Sequence, residues 1–171
     1  MVQEDKSYVE EDIQKDRYLT FLLGEYVYAV EIRCVTEIIG VMPITKIPET
    51  PNFVKGVINL RGQIVPIMDM RLKLHKEETV YTDRTCIIVV DIETIVLGLI
   101  VDSVVEVLTI AQSDTVPPPD FCKGGKNPYI KAVDNTQDCV KLILDSSRLL
   151  IDEELLEIEN IKNEGEQYEE V

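Results

Sequence analysis

Short apolar runs separated by turn residues recur along the chain, and most of them alternate between apolar and polar positions. Residues 18–32 read YLTFLLGEYVYAVEI, which is an apolar run, a Gly-Glu turn and a second apolar run. Residues 56–66 read GVINLRGQIVP and repeat this plan around Arg61-Gly62. β-branched residues dominate these runs, as they do in strands. The pattern predicts β-hairpins and a chain that is mainly β.

The strand pattern of the first half returns in the second half. Residues 28–39 align with residues 97–108 at an offset of 69, and after an insertion at 122–127 the offset becomes 76. In the first of these registers Glu37 falls on Glu106. Similarity at a fixed spacing indicates a duplicated structural unit. Two short-strand units of roughly 65 residues predict a pair of small barrels.

These patterns divide the chain into segments. We predict an acidic flexible N-terminus at 1–17, a first β-barrel module at 18–80, a second at 81–150, a C-terminal helix at 145–162 and a disordered acidic tail at 163–171. The helix prediction rests on apolar residues near helical spacing, namely Leu149, Leu150, Leu156 and Ile161. We expect this helix to dock on the barrels.

The net charge of −15 is concentrated at the two ends of the chain. Residues 1–17 carry −3 and residues 152–171 carry −8, which leaves the body nearly balanced. This sign argues against nucleic acid, which proteins bind through lysine and arginine on phosphate, and against anionic membrane surfaces. No apolar run approaches the ~18 residues of a membrane span, and no signal peptide is visible. We expect a cytoplasmic protein without membrane insertion.

Few residues of the sequence are suited to catalysis or to metal binding. His75 is the only histidine, it lies in the charged sequence HKEE, and the four cysteines form no CxxC pair. Nucleophilic catalysis requires a serine or cysteine beside a base, and zinc requires clustered cysteine and histidine. Gly124-Gly125 lacks the strand and helix of a phosphate-binding loop. We therefore expect no enzyme, no cofactor and no metal, but a protein of small barrels that binds partners.

The turn Asn59-Leu60-Arg61-Gly62 differs from its counterpart in the second half, which reads Asn135-Thr136-Gln137-Asp138. Both sequences are compatible with a tight turn, so folding does not require Arg61. An ordinary solvated turn arginine remains an alternative. We expect Asn59, which both halves share, to serve the turn, and Arg61 to serve a partner.

Longer motifs then carry a family resemblance. They are FLLGEYVYAVEIRCVTEI, ITKIPETPNFVKGVINLRGQIVPIMDMR, VLGLIVDSVVEVL, VPPPDF and LILDSSRLL. With these motifs the chain resembles the bacterial chemotaxis coupling proteins of the CheW family, from about Tyr18 to Leu156. The resemblance implies two five-stranded SH3-like barrels with some strand exchange between the halves. The insertion CKGGKNPYIKAV and the sequence LDSSRLL depart from the family's usual pattern.

The resemblance also implies a function. Family members are non-enzymatic adaptors that join the cytoplasmic tip of a methyl-accepting chemoreceptor to the regulatory domain of the chemotaxis histidine kinase, in arrays at the membrane. One barrel end is expected to contact the kinase, and the groove between the barrels to take the receptor's helical hairpin. Two alternatives are a coupling protein of a non-motility pathway and an isolated regulatory β module that binds the kinase without the receptor.

The resemblance places partner-binding residues at eight positions. They are Val35, Glu37, Asn59, Leu60, Arg61, Gly62, Gly98 and Val101. An arginine is able to donate a fork of two hydrogen bonds to a carboxylate, and we expect Glu37 to be the partner of Arg61.

Overall fold

The computed structural model describes residues 14–92, 95–118, 128–135, 139–150 and 152–169. The insertion at 122–127, the second-half turn at 136–138 and the acidic N-terminus up to residue 13 lie outside the described residues.

The described residues form strands joined by short turns and a few helices. The strands are β1 (Arg17–Leu23), β2 (Tyr26–Glu31), β3 (Val35–Gly40), β4 (Val54–Leu60), β5 (Gln63–Asp69), β6 (Cys86–Ile92), β7 (Ile95–Val101), β8 (Ser103–Thr109), β9 (Thr115–Val116), β10 (Ile130–Asp134) and β11 (Lys141–Leu144). Two α-helices lie wholly within the described residues, α1 (Met70–Lys73) and α2 (Asp152–Glu169). None of the described helices combines the length and the apolar character needed to cross a membrane.

The strands form two sheets that repeat one order. The five-stranded sheet runs β3-β6-β7-β5-β4, and the six-stranded sheet runs β8-β1-β2-β11-β10-β9. The sequence repeat aligns β3 with β8, β6 with β1, β7 with β2, β5 with β11 and β4 with β10, so the orders coincide strand for strand. The parallel pairs coincide as well, because β5 pairs with β7 and β11 pairs with β2. The predicted mainly β fold with an internal duplication is confirmed.

Each sheet combines strands from both halves of the sequence. β1 and β2 lie in the sheet that contains β8 to β11, whereas β6 and β7 lie in the sheet that contains β3, β4 and β5. The chain therefore crosses between the sheets after β2 and again after β7. The module boundary predicted between residues 80 and 81 falls between two strands of the same sheet, and it stays a prediction.

The main core lies between the two sheets. Alternate residues of β1 are buried there, namely Leu19, Phe21 and Leu23, and Ile88 lies among the residues that β6 contributes. Phe21 stacks on Tyr28, its neighbour on β2, with the ring centroids 6.0 Å apart. Such an aromatic pair contributes about 0.5–1.5 kcal/mol beyond the area it buries. The alternation that predicts strands therefore also selects this intersheet face.

Each sheet has a second apolar cluster on its opposite face, and the two clusters differ. In the five-stranded sheet Ile58 pairs with Val65, and both side chains are buried. The repeat places Asp134 and Lys141 at these positions in the six-stranded sheet. They pair across β10 and β11 and form a buried ion pair, with Lys141 Nζ 4.0 Å from Asp134 Oδ2. Because desolvation offsets the attraction, such a pair stabilises no more than an apolar pair of similar volume.

Helix α2 packs against β4 and β5 and buries Ile158 and Ile161 in the intersheet core. Lys73, the last residue of α1, also anchors α2, because it forms an ion pair with Glu154 of that helix. The Lys73 ammonium is buried and lies 4.4 Å from the centroid of the Phe53 ring. An ammonium over an aromatic face is attracted by the ring quadrupole. The helix is thus fixed by both apolar and charged contacts.

The bounds of α2 differ from the predicted 145–162. Asp145 Oδ1 accepts a 3.0 Å hydrogen bond from Ser147 N and caps a separate 3-10 turn at Ser146–Arg148. The α-helix therefore begins only at Asp152. At the other end, the helix continues to Glu169 through most of the tail predicted to be disordered. Glutamate and glutamine, which are frequent there, are good helix formers.

Candidate partner-binding site

The β4–β5 hairpin closes through a two-residue turn of Arg61 and Gly62. Leu60 pairs with Gln63 across it, and φ is +52° at Arg61 and +86° at Gly62. Positive φ at both central residues defines a type I′ turn, which usually takes Asn-Gly. A left-handed conformation costs most L-residues about 1–2 kcal/mol. Positive φ also occurs at Glu49 and His75, so this conformation alone assigns no function to Arg61.

Asn59 supports the turn from within β4. Gly62 N donates a 2.8 Å hydrogen bond to Asn59 Oδ1. This contact satisfies a backbone donor at the tip and restrains the turn. The predicted role of Asn59 in the turn is confirmed.

Arg61 reaches across to β3. Its Nη2 atom donates to Glu37 Oε1, which confirms the predicted pairing, although a fork of two bonds was expected. β3 and β4 are the outer strands of the five-stranded sheet, so the contact links the two edges of that sheet. A β-bulge lies just before Glu37, because the pairing with β6 shifts between Val35 and Glu37. Bulges redirect side chains, and this one precedes the carboxylate that meets Arg61.

The Arg61–Glu37 pair orients the guanidinium more than it stabilises the fold. The Arg61 side chain is 70% exposed and that of Glu37 is 29% exposed. Exposed ion pairs contribute only about 0–1 kcal/mol. Most of the hydrogen-bonding surface of the guanidinium therefore remains open to a partner.

The other predicted site residues occupy different environments. Leu60 is half-buried against the second apolar cluster of the five-stranded sheet, and Val35 is half-buried against the intersheet core. Gly98 and Val101 are buried in β7, away from the surface. A Cβ atom on Gly98 would lie 2.6 Å from Ile67 Cδ1, so this glycine permits close packing. Their contribution to partner binding stays a prediction, and burial limits it to shaping the sheet.

Sequence reasoning missed two exposed aliphatic side chains at the sheet edges. Ile38, next to Glu37 on β3, is 45% exposed, and Val107 on β8 is 41% exposed. The repeat makes these positions equivalent. Their strand neighbours in register, Ile88 and Leu19, belong to the intersheet core. Alternation along β3 and β8 does not distinguish these residues from core residues. They are exposed because their strands lie at the edges of the sheets.

A second arginine has the forked geometry that was expected of Arg61. Arg71 Nε lies 2.7 Å from Asp102 Oδ1, and its Nη2 atom contacts Oδ2. Gly24 N donates to the same carboxylate at 2.7 Å. Burial opposes ionisation of Asp102, but these hydrogen bonds outweigh it and lower the pKa of the carboxyl group. The cluster joins α1, the β1–β2 turn and the end of β7, so it is structural.

Within the part of the chain that the structure describes, no three histidine, cysteine, aspartate or glutamate side chains are arranged to hold a metal ion.

A family model described as the CheW-like domain matches residues 17–154. The chain belongs to the CheW family. The chemotaxis protein CheW of Klebsiella aerogenes is 35% identical over 144 residues, which cover 84% of this chain and 87% of that protein. The chemotaxis protein CheW of Treponema pallidum is 31% identical over 147 residues, which cover 84% of this chain and 86% of that protein. The resemblance predicted from the motifs is confirmed.

A solved CheW structure has the same fold. The crystal structure of the scaffolding protein TtCheW from Thermoanaerobacter tengcongensis matches with a TM-score of 0.72 and 33% identity, covering 80% of this chain and 89% of that one. The agreement covers most of this chain, and the two small sheets are consistent with the predicted SH3-like barrels.

Proposed function

We propose that this CheW-family chain is a non-enzymatic chemotaxis adaptor. It couples the cytoplasmic tip of a methyl-accepting chemoreceptor to the regulatory domain of the chemotaxis histidine kinase, in arrays at the membrane. The observation that carries the proposal is the hairpin tip, where Arg61 is exposed, held at positive φ and oriented by Glu37. Relatives named chemotaxis protein CheW, and a neighbour described as a scaffolding protein, support this role.

Arg61 suits a contact with a partner protein. Arginine is enriched among interface residues that dominate binding energy, and its planar group binds carboxylates with defined geometry. Because Glu37 already restrains the guanidinium, less conformational entropy is lost on binding. We assign Arg61 to the partner contact, with Asn59 and Gly62 maintaining the turn that presents it.

The groove that the family resemblance places between the barrels would suit an amphipathic helix. Ile38 and Val107 leave aliphatic surface exposed at equivalent edges of the two sheets. A helical segment recognises such a groove by laying its apolar face into it. We assign this groove to the helical hairpin of the receptor tip.

Coupling requires that the two contacts communicate. An adaptor shifts the kinase between states only if its contacts differ between those states. Contacts on β3 could meet this requirement, because Glu37 orients Arg61 while the adjacent Ile38 is exposed. A shift of β3 on receptor binding would therefore alter the hairpin tip.

The test is a titration of the chain against a receptor cytoplasmic fragment and, separately, against the kinase regulatory domain. Arg61→Ala is compared with Arg148→Ala as a matched control. Arg148 is also exposed, at 69%, and is also paired with a nearby carboxylate, that of Asp145. We expect wild type and Arg148→Ala to bind both partners and Arg61→Ala to lose affinity for at least one.

Binding to neither partner would contradict the proposal. Binding to the kinase domain alone would instead support the alternative of an isolated regulatory module. Equal losses in Arg61→Ala and Arg148→Ala would show that general charge, and not the hairpin tip, governs the interaction.

A further inference from the structure

The six-stranded sheet has an open groove on the face turned away from the intersheet core. The groove has a volume of about 1120 Å³. Its floor includes Tyr18 of β1, Ala132 of β10 and Ile143 of β11, which belong to the apolar cluster of that face. Pockets for small ligands usually measure about 300–1,000 Å³. At about 1120 Å³, the open groove has room for a peptide segment.

The groove is cationic in a strongly acidic chain. It is lined by four bases, Lys15, Arg17, Arg33 and Lys131, and by two acids, Asp16 and Glu31. The carboxylate of Glu31 is shared between two of the bases. Lys131 Nζ lies 2.6 Å from one of its oxygens and Arg33 Nε lies 2.7 Å from the other. The surplus of positive charge favours an acidic occupant.

In the five-stranded sheet, the chain itself covers the corresponding face. The segment before β6 places Tyr81 against the second apolar cluster of that sheet. The same segment pairs Glu78 with Lys55 of β4. The repeat aligns β6 with β1 and places Lys131 at the position of Lys55. The segment that corresponds to the one before β6 is therefore the stretch before β1, residues 1–13.

We propose that residues 1–13 dock in the groove, with their acids on Lys131 and Arg33 and their apolar side chains on the floor. These residues carry five acids and one lysine, and they include Val9 and Ile13. Gln14, the next residue, already lines the groove. Because the segment is joined directly to a residue that lines the groove, its effective concentration at the site is high. The docked segment would cover part of this face, as Tyr81 and Glu78 do on the five-stranded sheet.

The proposal is tested by NMR on the full chain at low salt. We expect nuclear Overhauser effects from the methyl groups of Val9 or Ile13 to the Tyr18 ring or the Ile143 methyls. The variant that combines Glu10→Gln, Glu11→Gln and Asp12→Asn removes three acids from the segment. We expect it to lose at least half of these intensities.

A matched control removes three acids from the other end of the chain, through Glu164→Gln, Glu166→Gln and Glu169→Gln. We expect its groove signals to match those of wild type, and the signals of the five-stranded sheet to report that every variant is folded. Absence of Overhauser effects between residues 1–13 and the groove in wild type would overturn the proposal. Equal intensities in the N-terminal variant and wild type would overturn the charge recognition on which it depends.

Discussion

Replacing Arg61 by asparagine separates the two properties that the hairpin tip combines, its turn geometry and its charge. The substitution removes an ion pair with Glu37 that is mostly exposed on the arginine side and is worth about 0.2–1 kcal/mol. It also relieves part of the about 1–2 kcal/mol that a left-handed conformation costs, because Asn-Gly is the preferred pair in a type I′ turn. The two effects oppose each other. We expect the free energy of unfolding to change by less than about 1 kcal/mol.

Urea unfolding followed by far-ultraviolet circular dichroism measures this change, since the chain has no tryptophan. For a protein of this length, 1 kcal/mol corresponds to about 2–4 °C in Tm. Glu37→Gln and the double variant with Arg61→Asn complete a cycle that isolates the coupling between the two side chains. We expect a coupling energy below about 1 kcal/mol. Affinity for the partner that contacts Arg61 is expected to fall at least tenfold, which is about 1.4 kcal/mol.

Loss of more than about 2 kcal/mol of stability would refute this reasoning, because the pair would then hold the sheet edges together. Unchanged affinity for both partners, with stability also unchanged, would identify Arg61 as an ordinary solvated turn residue.

Three further predictions concern the scaffold. Gly56→Ala is expected to lower the free energy of unfolding by about 3 kcal/mol or more. A Cβ atom there would lie 2.1 Å from the Thr45 carbonyl oxygen, at a φ of +138°. An unchanged urea midpoint would contradict this close approach. Lys73→Ala is expected to lower the free energy of unfolding by about 1–3 kcal/mol and to raise amide exchange throughout α2, because the partly exposed Glu154 carboxylate on that helix loses its ion-pair partner. Wild-type exchange in α2 would show that the apolar contacts suffice. Burial raises the pKa of Asp102, but hydrogen bonds, chiefly from Arg71, outweigh it, so the folded pKa lies below the unfolded value. The stabilising effect of the carboxylate is therefore present above about pH 4 and is lost as pH falls through the folded pKa. The stability difference between wild type and Asp102→Asn is therefore expected to shrink in acid, and a difference that is constant from pH 6 to pH 2 would exclude this origin.

Local signals were sufficient to predict the hairpins. Gly24 and Gly62 both have positive φ in tight turns, and alternating apolar residues flank each of them. The repeat was visible because equivalent strands keep equivalent patterns. The pairing of Arg61 with Glu37 was predicted from chemistry, since an arginine and a carboxylate lay in two motifs of one family.

Contacts between distant parts of the chain were not predictable in this way. The parallel pairing of Tyr28 with Leu142 joins strands from opposite halves, and nothing in either strand specifies its neighbour. Lys73 reads as a solvated helix residue, yet it is buried between aromatic rings. Asp134 and Lys141 likewise read as exposed charges and are buried together. A charge is buried only where a partner from another segment meets it, and the sequence does not show that partner.

The most direct test of the adaptor account is whether this chain bridges its two proposed partners. A receptor cytoplasmic fragment is immobilised, and the retained kinase regulatory domain is measured as the chain is added. The account predicts that the kinase domain is retained only when the chain is present, and that Arg61→Asn reduces retention. Binding of either partner that excludes the other would contradict it.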